Sequence, residues 1–327
     1  MTTPETPIKH LALSGGNVWG FNMIGILVQA IETGFLKMEN IQTIHGTSIG
    51  SLVGAAMALK IDPPLLRDYF IKRPWDTLCK NNRHSVLELY DGRGILHQGF
   101  IEYLFDPLLK SVDLSCATTL AELYAFNGID FHIYATELNQ YELVDISFKT
   151  HPEWRVVDAV YASCSVPLLF SPLIIEDKCY IDGGFLLNYP IEKCPLENPE
   201  EVFGISMGNF SEKHIDTPIT MASTLPDIVF TSIMKSIQRT KMFSNNNTLP
   251  FPYQIVLYNK ITLEYFMEVL YEQKEREYLV SEGKTIFEEY SRAWSRGTYG
   301  SPYMGSEGPR PCAGADKVGT VGVLRTP

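Results

Sequence analysis

The first part of the chain alternates between short apolar runs and longer segments whose apolar residues recur at helical spacing. The pattern predicts two strand–turn–helix units, with strands at residues 9–14 (KHLALS) and 41–45 (IQTIH) and helices at residues 18–31 and 49–59. Strands that alternate with helices from the start of a chain are typical of a parallel sheet covered on both faces. We therefore predict an α/β fold with three layers, α/β/α, and a mainly parallel central sheet.

The alternation continues up to residue 290. Residues 62–126 are chiefly helical in pattern, and we expect them to cap the sheet. Further strands are predicted at residues 131–136, 142–146, 173–175, 178–181, 202–206 and 253–257. Helices are predicted between and after them, at residues 156–163, 221–239 and 263–290.

The composition changes after residue 290. Residues 291–327 are rich in Gly and Pro and have almost no periodicity, which is the composition of a segment that cannot bury a core. We therefore predict one domain over residues 1–290 and a disordered tail over residues 291–327.

The net charge of the chain narrows the range of its partners. The 327 residues carry a formal charge of −11, whereas nucleic-acid binding needs clustered Lys and Arg. The same charge weakens attraction to anionic membranes, so contact with a lipid surface would have to be apolar and local. We expect no nucleic-acid partner.

The cysteines and the apolar runs bear on location. The six cysteines are widely scattered and make no CxxC or Cys/His spacing suited to zinc, so we expect free thiols in a reducing compartment. Residues 1–10 lack the features of a signal peptide, and the longest apolar run, residues 49–59, is too short to span a membrane. The predicted location is cytoplasmic, with peripheral contact to membranes.

A GxSxG pentapeptide carries the first chemical signal. Gly46-Thr47-Ser48-Ile49-Gly50 lies between a predicted strand and a predicted helix, where a sharp turn lifts a serine hydroxyl clear of the sheet. The pentapeptide alone is equally compatible with a glycine-rich turn whose serine merely caps the helix. Ser48 is the candidate nucleophile.

The turn Ser14-Gly15-Gly16-Asn17 also lies between a predicted strand and a predicted helix. Such a turn points backbone N–H groups and the positive end of a helix at an anion. An oxyanion hole needs these donors, because the tetrahedral intermediate of acyl transfer carries negative charge on the former carbonyl oxygen. A nucleotide phosphate site is the alternative, but neither GxGxxG nor GxxxxGK[ST] is present.

A third motif, Asp182-Gly183-Gly184, follows the strand predicted at residues 178–181. The glycines let the backbone turn sharply and leave the carboxylate at the end of the strand. Open α/β sheets bind their ligands at that edge. A lone Asp-Gly pair is more often a plain hairpin turn, so the other two motifs are what make Asp182 a candidate for acid–base chemistry.

The order and spacing of the three motifs resemble those of the patatin-like phospholipases. That family has a glycine-rich oxyanion turn after its first strand, GxSxG after its second and DG[GA] much later, and Gly15-Gly16, Ser48 and Asp182 take those places here. Weaker similarities lie at residues 135–138 (ATEL), at residues 162–167 (ASCSVP) and at Asn188 with Pro190. The resemblance covers residues 9–290 and implies a patatin-like fold.

The resemblance implies a catalytic dyad in place of a triad. Ser48 would be the nucleophile, Asp182 its general base, and the amides of Gly15, Gly16 and Asn17 the oxyanion hole. The implied activity is phospholipase A-like hydrolysis of carboxylic esters of phospholipids or acylglycerols, through an acyl-enzyme that water releases. The implied chemistry needs no metal and no cofactor.

Two positions depart from the family pattern. The family usually has a third glycine where Asn17 stands and a basic residue where Trp19 stands. Asn adopts the left-handed backbone conformation more readily than other non-glycine residues, so we expect the turn to persist. We expect the Trp19 indole to pack in the core rather than against an acyl chain.

Two other functions stay open from the sequence. An esterase of the α/β-hydrolase type would use a Ser48-Asp182-His214 triad, since His214 follows Asp182 in the chain. Only one clear strand precedes the elbow strand, which disfavours that fold. A lipid-binding protein without activity is conceivable because the oxyanion turn is altered, although both Ser48 and Asp182 are present.

Overall fold

The computed structural model describes residues 4–80, 93–208, 219–244, 251–258, 262–295 and 303–304. Within these ranges, nine strands form one sheet whose strands are mostly parallel, and helices cover both of its faces. The prediction of a three-layer α/β fold with a mainly parallel sheet is confirmed.

The elements of the described ranges are numbered in chain order. The strands are β1 (His10–Leu13), β2 (Thr43–Thr47), β3 (Gly94–Leu96), β4 (Asp130–Glu137), β5 (Glu142–Ile146), β6 (Leu168–Phe170), β7 (Leu173–Ile175), β8 (Lys178–Asp182), β9 (Val202–Met207), β10 (Tyr253–Leu257) and β11 (Tyr303–Met304). The helices are α1 (Gly20–Glu32), α2 (Ile49–Ala58), α3 (Pro63–Lys72), α4 (Trp75–Lys80), α5 (Gly99–Lys110), α6 (Leu120–Asn127), α7 (Val156–Cys164), α8 (Leu225–Ser244), α9 (Leu263–Tyr271) and α10 (Gln273–Ser295).

The order of strands across the sheet is β11-β10-β9-β1-β2-β4-β8-β7, and β5 also pairs with β4. The strands from β11 to β4 are parallel to their neighbours. The turn to antiparallel pairing comes at β4, which pairs antiparallel with both β5 and β8. The short strands β3 and β6 form a separate parallel pair.

Most predicted elements are present with their ends shifted by a few residues. The helix predicted over residues 263–290 is two helices, because Glu272 takes an extended backbone and ends α9. The helix predicted over residues 221–239 begins at Leu225, directly after Thr224, whose N–H and hydroxyl donate to the Asp227 carboxylate in the first turn. The chiefly helical block of residues 62–126 also contains β3.

The predicted domain boundary at residue 290 falls inside α10. This helix continues to Ser295, and Tyr303–Met304 pairs with β10. Residues 305–327 lie outside the described residues, so the disordered tail stays a prediction there.

Helices α1 and α10 approach each other closely at two glycines. A Cβ atom at Gly25 would collide with the carbonyl oxygen of Val280, and a Cβ atom at Gly283 would collide with that of Asn22. The Asn22 side chain also donates a hydrogen bond of 3.0 Å to the Leu279 carbonyl oxygen. Because α1 starts just beyond the Gly16-Asn17 turn, this contact helps to fix that turn against the rest of the fold.

We predict that Gly25→Ala or Gly283→Ala lowers the free energy of unfolding by about 1–3 kcal/mol, because the two helix backbones must move apart. Gly99→Ala is the matched control, since no heavy atom lies within 4 Å of the added Cβ. It should leave stability unchanged or raise it by up to about 1 kcal/mol. Urea unfolding measures all three. Equal stability of the Gly25→Ala and Gly99→Ala proteins would contradict the close approach of the helices.

Candidate active site

Strands β2 and β8 both pair with the same side of β4, and both end there. Thr47, the last residue of β2, pairs with Tyr134, and Asp182, the last residue of β8, pairs with Ala135. Strand β5 pairs with β4 at both of these positions, and a strand has one neighbour on each side. Therefore β2 and β8 share the other side and run toward each other. Their ends meet head to head, which places Ser48 next to Asp182.

Ser48 occupies the sharp turn between β2 and α2 and is 8% exposed. Its backbone has φ 53° and ψ −128°, a strained conformation for a residue with a side chain. The Ser163 hydroxyl holds the turn: it accepts the Ser48 N–H at 2.8 Å and donates to the Tyr134 carbonyl oxygen at 2.5 Å. This geometry is typical of a nucleophile elbow.

Helix α2 starts directly behind the Ser48 hydroxyl. The Ser48 side chain makes no capping hydrogen bond to the helix, so the hydroxyl is not used as a cap. A Cβ atom at Gly50 would collide with the Leu13 carbonyl oxygen, so the close approach of α2 to β1 requires this glycine. The N-terminus of α2 directs a partial positive charge at the hydroxyl, which favours negative charge there.

The Asp182 carboxyl group is 1% exposed. Burial raises its pKa to about 7, although the Ser48 hydroxyl and the Gly184 N–H both lower it. Oδ1 accepts the Gly184 N–H at 2.7 Å. Oδ2 is buried and has no partner within normal hydrogen-bond geometry among the described residues, which leaves it open to a further donor.

Two of the three predicted oxyanion donors are free. Gly15 is the exception, because its N–H donates to the Asn188 carbonyl oxygen at 2.9 Å. In the described part of the chain, the N–H groups of Gly16 and Asn17 donate to no protein acceptor. Asn17 takes the left-handed conformation (φ 57°), as its place in the turn requires, and Trp19 is 1% exposed in the core.

A cavity of about 1170 Å³, measured with its open mouth, is lined by Ser48, Asp182 and the Gly15–Asn17 turn. Most of its other walls are apolar, with contributions from Phe21, Phe70, Phe100, Phe170, Met234 and Phe266. None of the described residues that line it is Lys or Arg. The cavity therefore suits an uncharged hydrocarbon chain that ends near Ser48.

Two of the described histidines, His45 and His132, take structural positions. The His45 and His132 rings stack with centroids 4.6 Å apart, His45 Nδ1 lies 3.0 Å from the Tyr134 hydroxyl, and His132 Nδ1 lies 2.9 Å from Asp145. Burial lowers the pKa of His45 well below its usual value, so this side chain stays neutral. The sequence-predicted His214 lies outside the described residues.

Sequence reasoning missed two residues of the site. Ser163 lies in the ASCSVP segment, whose family similarity does not reveal its hydrogen bonds to Ser48 and Tyr134. The family similarity at Asn188 with Pro190 likewise does not reveal the contact of Asn188 with Gly15. Both act through contacts between distant parts of the chain, which leave no local pattern.

Comparisons with known proteins find one matching family model, similar viral sequences and a similar solved structure. A model of the family described as patatin-like phospholipase matches residues 11–194. An uncharacterized protein of Acanthamoeba polyphaga mimivirus is 28% identical over 210 residues, which are 64% of this chain and 68% of that protein. A probable lipid hydrolase of Invertebrate iridescent virus 6 is 24% identical over 244 residues, which are 73% of this chain and 76% of that protein. The solved structure of VipD from Legionella pneumophila covers 85% of this chain and 67% of its own, with 14% identity and a TM-score of 0.45.

We predict that Asp182→Asn stabilises the folded protein and that the gain grows with pH. An unfolded Asp ionises near pKa 3.9, whereas folded Asp182 ionises at about 7. The folded state therefore keeps a proton that the unfolded state has lost, and stability falls as pH rises through that interval. Asn removes this loss, so the gain should reach a plateau on the order of a few kcal/mol above pH 7.

Urea unfolding of both proteins between about pH 4 and about pH 8 measures this gain. Asp62→Asn is the control, because Asp62 is exposed at the start of α3 and its substitution should leave the pH dependence unchanged. A gain from Asp182→Asn that is flat across the range, or that shrinks as pH rises, would show that Asp182 is not a buried group with a raised pKa.

Proposed function

Since the chain belongs to the patatin-like phospholipase family, we propose that it hydrolyses carboxylic esters of phospholipids or acylglycerols through an acyl-enzyme on Ser48. The observation that carries this proposal is the meeting of the Ser48 and Asp182 strand ends inside a cavity with mainly apolar walls. The name of the viral relative, a probable lipid hydrolase, supports the same class of activity.

The proposed reaction uses Asp182 as the only base. Ionised Oδ2 takes the proton from Ser48 Oγ while Oγ bonds to the ester carbonyl carbon, and the carbonyl electron pair moves to its oxygen. When this intermediate collapses, the alcohol leaves with the proton from Asp182. Asp182 then takes a proton from water, whose oxygen attacks the acyl carbon, and Ser48 leaves with that proton as the fatty acid is released. A pKa of about 7 suits a group that both takes and returns a proton near neutral pH.

The N–H groups of Gly16 and Asn17 are the proposed oxyanion donors. They are free of protein acceptors in the described residues and line the same cavity as Ser48. Fixed backbone donors stabilise the developing charge without reorganising during the reaction, and loss of one typically lowers the rate by about 10²- to 10³-fold.

The cavity is proposed to hold the acyl chain of the substrate. Each methylene group buried against its apolar walls contributes about 0.8 kcal/mol, so chain length should influence binding strongly. A charged phosphate group would meet no described Lys or Arg in the cavity. Recognition therefore rests on the hydrocarbon chain more than on the head group.

We also propose that the N-terminal end of α8 contacts the lipid surface. Met221 is fully exposed, Leu225 is 72% exposed, and Ile219 and Ile228 are exposed beside them. The only charged residue between 219 and 228 is Asp227, whose carboxylate accepts hydrogen bonds from Thr224. We name residues 219–228 the apolar tip.

The apolar tip leads into the helix that forms part of the cavity wall. Met234 and Ile237, farther along α8, line the cavity that contains Ser48, and about two to three helical turns separate Leu225 from them. An acidic protein gains little from anionic lipid, so contact through apolar side chains fits its charge of −11. No helix in the described ranges has the length and apolar character needed to cross a bilayer.

We predict that a fluorophosphonate probe labels Ser48 and that Ser48→Ala abolishes both labelling and the release of fatty acids from a panel of lipid classes. His214→Ala tests the triad in the same assays and should keep most of the activity, because the proposed proton transfer needs only Asp182. Mass spectrometry reads both the labelled peptide and the fatty acids. Labelling that persists in Ser48→Ala would remove Ser48 as the nucleophile. A folded His214→Ala protein as inactive as Ser48→Ala would replace the dyad by a triad.

We predict that the double variant Met221→Ser, Leu225→Ser binds phosphatidylcholine vesicles about tenfold or more weakly, because two exposed apolar side chains no longer enter the lipid. Vesicle sedimentation measures the binding. Turnover of a soluble short-chain ester should be unchanged.

The matched control for the apolar tip is Leu196→Ser, since Leu196 is 54% exposed on a different segment. Its vesicle binding should equal that of the unaltered protein. Binding that survives the double variant, or that salt alone abolishes, would show that another surface meets the lipid.

A further inference from the structure

We propose that Asn188 is a positioning residue that clamps the Gly15–Asn17 turn, so that the Gly16 and Asn17 N–H groups face the oxyanion formed on Ser48. The proposal rests on the proposed function for its catalytic meaning, but the clamp itself is a feature of the fold. Asn188 follows the Asp182 turn in the chain and lines the same cavity as Ser48.

Asn188 engages both backbone polar groups of Gly15. The Asn188 carbonyl oxygen accepts the Gly15 N–H at 2.9 Å, and the Asn188 Nδ2 donates to the Gly15 carbonyl oxygen at 3.4 Å. The first contact is a normal hydrogen bond and the second is long. One residue thus holds the peptide groups on both sides of Gly15, directly before the two free donors.

The Asn188 side chain also fills the space between the oxyanion turn and the Asp182 turn. A Cβ atom at Gly15 would collide with Asn188 Oδ1 and would lie 3.2 Å from the Ser48 Cβ. A Cβ atom at Gly184 would lie 2.9 Å from the same Oδ1. The amide is therefore packed against both turns, with Ser48 close by.

The neighbour of Asn188 ties the same segment to the elbow strand. The Thr47 hydroxyl donates to the Leu187 carbonyl oxygen at 2.9 Å, one residue before Ser48. The segment from Asp182 to Asn188 therefore carries the proposed base and contacts both the strand before Ser48 and the oxyanion turn. A shift of this segment would change the distances among all three.

The oxyanion turn has a second anchor that does not involve Asn188. The Ser14 N–H donates to the Ile205 carbonyl oxygen at 3.0 Å, and the Ser14 hydroxyl accepts the Met207 N–H at 3.1 Å. Loss of the Asn188 side chain should therefore leave the fold in place. The loss should instead loosen Gly15 and the Gly16 and Asn17 N–H groups that follow it.

We expect Asn188→Ala to lower kcat by about 10- to 100-fold with little change in KM, and to slow fluorophosphonate labelling in parallel. The melting temperature and the pH at which the rate is half-maximal should stay close to those of the unaltered protein, because Asp182 keeps its surroundings. Asn188→Asp keeps the shape but replaces the donor Nδ2 by an acceptor that faces the Gly15 carbonyl oxygen, so it should not restore the rate.

Asn139→Ala is the matched control, since the Asn139 Nδ2 also donates to a backbone oxygen, that of Asp177 at 2.8 Å, on an exposed turn. It should keep full activity. Hydrogen exchange tests the clamp without turnover: the Gly15 amide, which donates to the Asn188 carbonyl oxygen, should exchange at least several-fold faster in Asn188→Ala and at an unchanged rate in Asn139→Ala.

The outcomes separate this proposal from the proposed function. A raised KM with an unchanged kcat, activity that falls only in step with the melting temperature, or unchanged exchange of the Gly15 amide would overturn the role of Asn188. If the unaltered protein releases no fatty acid and takes up no probe, the proposed function fails, and the exchange measurement still decides whether Asn188 holds the turn.

Discussion

The head-to-head meeting of β2 and β8 beside β4 is the constraint on which the rest of the site depends. Each residue of β4 can pair with only one strand on a given side. On the side shared by β2 and β8, the partner is β2 up to Tyr134 and β8 from Ala135 onward. Both incoming strands must turn away from the sheet at that point. The residues at their two ends, Ser48 and Asp182, are thereby brought together by backbone pairing, so no third side chain is needed to bring the carboxyl group to the hydroxyl group.

The end of α7 stabilises both strand ends at this junction. The Ser163 hydroxyl bridges the Ser48 N–H and the Tyr134 carbonyl oxygen, and the Ser165 carbonyl oxygen accepts the Asp182 N–H at 3.0 Å. These bonds replace ladder partners that the turning strands give up, which matters because an unpaired buried peptide group is costly. They also hold the strained Ser48 backbone, so Ser48 and Asp182 are both fixed to one short segment.

The sequence could predict the elements and the three motifs because both depend on local patterns. Periodicity identifies β1, α1, β2 and α2, and glycine turns mark where chemistry follows a strand. The pairing register on β4 and the use of the Gly15 N–H by Asn188 join residues far apart in the chain. Strand β3 lies inside a block whose pattern is chiefly helical, and neither Gly nor Pro marks the break at Glu272.

The two departures from the family pattern have different physical consequences. Every residue except proline carries the same backbone N–H donor, whatever its side chain. Asn17 at φ 57° therefore offers the donor that a glycine would offer, at a small conformational cost. Where the family usually has a basic residue, Trp19 instead places an uncharged indole in the core. With burial as the main influence on Asp182 and no described cation contributing, the pKa of this carboxyl rises to about 7. The proposed reaction therefore relies on backbone dipoles to stabilise the oxyanion, and on a buried carboxylate that is a stronger base than an exposed one.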